Sequence, residues 1–89
     1  MAENRIELPN GAMLLVIIKD GKVLHYSANL GLSHVEFVKR TTGSLPQGAW
    51  VGTVHKAREG IIAFSSKSFY ERELPGPAWV QEAARAAFK

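Results

Sequence analysis

The chain contains no cysteine. That excludes a disulfide scaffold, a thiolate zinc site and a cysteine nucleophile together, and it fits a reducing compartment. Long apolar runs are also missing. The longest, Ala12 to Ile18, falls far short of the ~20 residues a membrane helix needs. A secretory signal would put basic residues before such a run and a small-residue cleavage site after it. Here Glu3 and Glu7 flank Arg5, and Lys19-Asp20-Gly21-Lys22 follows. The expectation is a cytoplasmic protein with no membrane segment. Charge of one sign is not clustered either. Net charge is +3, yet the longest basic run is Lys39-Arg40 and most basic residues have an acidic neighbour. Nucleic-acid proteins concentrate basic residues on one face, so a solvated surface is the plainer reading.

Familiar catalytic patterns are absent as well. His34-Val35-Glu36 has the His-x-Glu spacing of zinc nucleobase deaminases, but the downstream cysteine pair that completes that metal site does not exist here. His25, His34 and His55 are spread over two strands and a helix with no paired spacing, which argues against a three-histidine metal site. Ser65, Ser66 and Ser68 have no Gly-x-Ser-x-Gly elbow around them. Neither the phosphate-loop pattern nor Gly-x-Gly-x-x-Gly occurs. Arg58 to Phe64 has a basic-glycine-aromatic order like one strand of RNA-recognition domains, but Ile61 and Ala63 stand where base-stacking aromatics are required. No catalytic residue, cofactor site or metal site is assigned.

What the chain does have is a repeat. Leu8-Pro9-Asn10-Gly11-Ala12-Met13 returns as Leu45-Pro46-Gln47-Gly48-Ala49-Trp50. Each copy is a Leu-Pro turn that opens a strand. A third echo, Leu74 to Trp79, leads into a helical pattern and is read as coincidence. The first strand runs Met13 to Lys19 between Asn10-Gly11 and Asp20-Gly21, and Asp-Gly between apolar runs predicts a two-residue hairpin. Lys22 to Ala28 is the return strand. Ser33 and Glu36 form a capping box for a helix of about ten residues, with Leu32, Val35 and Val38 on one side and Gly43 as its C-terminal cap. The second half repeats the order. Ala49 to Lys56 and Ile61 to Phe69 are strands around a turn at Ala57 to Gly60, and a charged loop follows. A last helix begins near Pro77, where a missing N–H costs nothing. Trp79, Val80, Ala83, Ala84, Ala87 and Phe88 make its apolar face. Trp79 is expected to anchor this helix on the sheet, and Trp50 to be at least partly buried.

The fold class is therefore α+β. One domain spans 1–89, built from duplicated β-β-α units with pseudo-repeat halves 8–43 and 45–89. The expectation is a four-stranded antiparallel sheet with two helices on one face. Moving the first strand to the end gives the ferredoxin-like order, so a circularly permuted ferredoxin-like sheet is one topology and two side-by-side hairpins the other. One strand does not fit a two-layer domain. Met13, Leu15 and Ile17 face one way and Leu14, Val16 and Ile18 the other, so both faces are apolar, the pattern of a doubly buried strand. With both helices on one face, the second face needs a partner subunit or an overlying loop.

That reasoning leads to a non-enzymatic binding or interaction module acting as a homodimer, with Leu14, Val16 and Ile18 as interface residues. Two alternatives are carried. One is a small basic nucleic-acid-binding protein using Lys19, Lys22, Lys56 and Arg58, which flank the two hairpin turns. These make one basic edge only if both turns lie at the same end of the sheet. The other is an enzyme whose site is assembled between subunits.

Overall fold

The computed structural model describes residues 5–32, 34–41, 43–65 and 75–89. Its elements run β1 (Met13–Lys19), β2 (Lys22–Ser27), α1 (His34–Thr41), β3 (Trp50–Ala57), β4 (Gly60–Ser65) and α2 (Ala78–Ala87). The four strands form one antiparallel sheet in the order β2-β1-β3-β4. This is the α+β class in β-β-α-β-β-α order, laid out as two hairpins side by side. The permuted ferredoxin-like topology does not apply, because it would set β2 and β4 next to each other at the centre. Here β1 and β3 are central and β2 and β4 are the edges.

Local chemistry sets the turns. Asp20 and Gly21 both take positive φ, 53° and 75°, as a two-residue hairpin whose twist matches its strands demands. The hexapeptide repeat is a structural repeat too. Ala12 N–H donates to the Pro9 carbonyl at 3.0 Å and Ala49 N–H to the Pro46 carbonyl at 3.1 Å. Gly11 and Gly48 sit at matching φ of 81° and 85°, the position of a type II turn that favours glycine. In the third echo the position of Gly11 and Gly48 is held by Pro77, at φ −63°, and the preceding Gly76 N–H donates to the Ala63 carbonyl on β4 at 2.9 Å. The third copy is not the same turn.

The helices do not share a face. Val16 and Ile18 join Val54, Ile61 and Ala63 in a core covered by Val80, Ala83 and Ala84 of α2 together with Leu8 and Phe88. Leu15, Ile17 and Val51 join Phe37 and Val38 of α1 in a second core. Successive strand residues point to opposite faces, so α1 and α2 lie on opposite sides of the sheet. The repeat shows why a one-face arrangement fails. A two-fold axis normal to the sheet would put equivalent residues on one face. The equivalent of Leu15 is Gly52, which pairs with Val16 and so faces α2, whereas Leu15 faces α1. The two halves thus share turns and hairpins but dock their helices on opposite sides.

This accounts for the doubly apolar β1 without a partner. Val16, Ile17 and Ile18 are all 0 % exposed within the single chain. Burying three such side chains is worth roughly 5–9 kcal/mol, comparable with the whole net stability of a domain this size, ~4–13 kcal/mol. Leu14 is half-buried and packs against the α2-side core. The expected interface residues Leu14, Val16 and Ile18 are therefore core positions.

Helix α1 ends where expected: Gly43, at φ 76°, donates its N–H to the Val38 carbonyl at 3.2 Å. Phe37 is its fully buried residue, while Ser33 and the Val35 side chain lie outside the described residues. Helix α2 docks through Val80, Ala83 and Ala84. Trp79 is 43 % exposed and is not its anchor. The helix stops at Ala87 and Phe88 leaves it extended, with φ −118° and ψ 155°. At 3.6 residues per turn positions 80, 83, 84 and 87 form the centre of the buried stripe, and Trp79 falls at its margin. Trp50 is partly buried against the same core.

Candidate functional site

The two sheet edges differ in chemistry. At β4 the edge is covered. Gln81, reaching back from α2, accepts a hydrogen bond from Ala63 N–H through Oε1 at 2.9 Å. Its Nε2 donates to the Ala63 carbonyl at 2.8 Å and to the Gly76 carbonyl at 3.1 Å. One side-chain amide thus satisfies both backbone groups of an edge residue, and Pro75 bridges Phe64 beside it. Covering an edge in this way removes a template for strand addition.

At β2 the edge is open. No backbone hydrogen bond outside the β1 ladder reaches β2 among the described residues. The strand carries a bulge. Ile17 pairs with His25 and Ile18 with Val23, leaving Leu24 as the extra residue, 40 % exposed. Tyr26 follows at 50 % exposed, with one edge of its ring against Phe88 at a 6.0 Å centroid distance. Leu30, in the next loop, is exposed as well.

The four basic residues flanking the hairpin turns are not brought together. Met13 pairs with His55 and Ile18 with Trp50, so the β1–β2 turn and the β3–β4 turn lie at opposite ends of the sheet. Lys19 and Lys22 are separated from Lys56 and Arg58 by roughly 20 Å along the strands. Lys19 is moreover paired with Asp20 at 3.7 Å. At the other end Lys56 and Arg58 line an open concavity of about 530 Å³ with Asn10, Gly11, Ala57 and Gly60.

His25 and His55 stay apart, and the His34 side chain lies outside the described residues. His25 and His55 lie on the α1 side of the sheet, on β2 and β3 with β1 between them, on the order of 15 Å apart from strand spacing and rise. His55 packs edge-on against Phe64 at 5.3 Å, an ordinary cross-strand aromatic contact. No group of three histidine or carboxylate side chains suited to a metal occurs among the described residues. Ser65 ends β4 opposite Gly52; Ser66 and Ser68 lie outside the described residues. No described helix is long and apolar enough to cross a membrane. Comparison with protein-family models, curated proteins and solved structures finds no match for this chain.

Sequence reasoning named Lys56 and Arg58 only as part of one edge with Lys19 and Lys22, and it missed the open β2 edge. Both depend on which strand pairs with which, and no local pattern encodes the β1–β3 pairing.

Proposed function

We propose that this protein is a small interaction module that works as a homodimer, two copies pairing antiparallel along β2 so that two four-stranded sheets continue as one of eight. The observation that carries the reading is the contrast between edges. β4 is closed by Gln81 and Pro75, while among the described residues nothing pairs with the outer backbone groups of β2, beside exposed Leu24 and Tyr26. An antiparallel strand is its own complement under a two-fold axis, so a second copy needs no new surface. Charge permits it as well. Lys22 sits at one end of β2 and no other Lys or Arg lies on the strand, so the two lysines stand at opposite ends of the paired edge.

The magnitudes point to a modest affinity. Alternate residues of a six-residue edge face outward, giving about six new hydrogen bonds across the pair, worth roughly 3–9 kcal/mol net. Association costs about 4–15 kcal/mol, so apolar contact from Leu24, Tyr26 and Leu30 has to tip the balance. The expected Kd is on the order of 1–100 μM. Sedimentation equilibrium from about 5 to about 500 μM, which brackets that range, should show a mass rising from 9.8 kDa toward twice that value. Leu24→Lys should hold the chain monomeric with its circular dichroism unchanged. A wild-type mass constant at the monomer value would overturn the dimer. An oligomer indifferent to Leu24→Lys would overturn the β2 edge.

A further inference from the structure

We propose that the corner between the first turn and the β3–β4 turn is a binding site for a small phosphomonoester. The concavity there, about 530 Å³, is lined by Asn10, Gly11, Lys56, Ala57, Arg58 and Gly60, and lies within the roughly 300–1,000 Å³ typical of small-molecule sites. The two turns that wall it are tied together, since Gly11 N–H donates to the Lys56 carbonyl at 3.2 Å. A Cβ built on either Gly11 or Gly60 would meet nothing within 4 Å. Side chains therefore leave these backbone segments open to a ligand.

Charge supplies the selectivity. Lys56 is half-buried and Arg58 exposed, and among the described residues neither has an ion-pair partner. Among the described residues no carboxylate lines the concavity, the exposed Glu59 of the same turn lying outside it. A planar guanidinium fork beside an ammonium suits a dianionic phosphate group better than a single carboxylate, and the Asn10 amide adds a neutral donor. At the other end of the sheet Lys19 is paired with Asp20 at 3.7 Å, so that basic pair is partly neutralised. The other basic pair lies roughly 20 Å away along the sheet, so the ligand is a discrete molecule rather than a polymer tracking across both ends. This site is separate from the β2 edge and does not depend on the dimer.

The test is an amide-resolved NMR titration at constant ionic strength, first with inorganic phosphate and then with a nucleoside monophosphate. Saturable shifts are expected at Gly11 and Gly60, with the nucleotide at least about tenfold tighter because it fills more of the cavity. Lys56→Gln with Arg58→Gln should weaken both ligands by about tenfold or more, one charge-assisted contact being worth about that factor. Lys19→Gln with Lys22→Gln should leave both affinities unchanged. Absence of saturable shifts, or equal losses in the two double variants, would overturn the proposal. A matching loss of duplex DNA binding in both variants would overturn it in favour of a polymer ligand.

Discussion

Gly52 sits on a central strand, paired with Val16 on one side and Ser65 on the other. Its missing side chain is occupied by the Trp50 ring. A Cβ added there would overlap both that ring and the Phe64 carbonyl oxygen. The indole continues to Gly76, whose own added Cβ would stand 3.0 Å from Trp50 Cζ2 and 3.1 Å from Val80 Cγ1. Trp50 is thus seated between two glycines that provide space rather than unusual φ. Gly52→Ala meets a backbone oxygen that no rotamer change can move, so the cost should reach about 3 kcal/mol, at the upper end for overpacking. For a domain this size that lowers the melting temperature by roughly 10–20 °C; a variant melting within about 2 °C of wild type would show that the ring is not seated there. Residues differ in how far the sequence discloses them. Asp20-Gly21 was legible because its demand for positive φ is local. Gly52 was not, because its neighbour's ring and a carbonyl from another strand set the demand. Trp79 was misjudged because an apolar period marks a stripe but not which of its residues stand at the margin, and Trp79 is one of those.

At the level of elements, strand limits were readable where turn residues bracket them, and β1 was expected over the same residues, Met13 to Lys19, that it occupies. Its two apolar faces were read correctly as doubly buried. The cover was misassigned because a repeat suggests equivalent helices on one face. The pleat, with equivalent residues such as Leu15 and Gly52 on opposite faces, sends them to opposite sides. The closure of the β4 edge was invisible, since Gln81 reaches a strand 18 residues away. That closure yields a prediction. Gln81→Glu keeps an acceptor for Ala63 N–H but loses the donor that serves the Ala63 and Gly76 carbonyls. An ionised carboxylate accepts only, and it would face two carbonyl oxygens. Denaturant unfolding at neutral pH should show a loss of about 1–3 kcal/mol. Gln81→Glu as stable as wild type would mean the amide is not holding the edge.

Across the whole molecule the two halves cannot be separated. The α2-side core takes Leu8, Val16 and Ile18 from the first half and Val54, Ile61, Ala63, Val80 and Phe88 from the second. The ends of the chain are zipped together. Ile6 N–H donates to the Ala87 carbonyl and Leu8 N–H to the Lys89 carbonyl, both at 2.7 Å, and Lys89 N–H returns to the Ile6 carbonyl at 3.0 Å. Leu8 and Phe88, near opposite termini, are each 1 % exposed. Split between 43 and 44, the chain leaves one fragment with a lone hairpin and a helix, and such a unit is marginal in water. The β1–β3 ladder, six residue pairs long, forms only when both halves are present. Fragments 1–43 and 44–89 should each lack a cooperative melt, and an equimolar mixture should regain the sheet signal, with a transition that rises with concentration as a bimolecular complex requires. If 1–43 alone melted cooperatively, the repeat would mark two independent folding units, and the central ladder would not be what holds this molecule together.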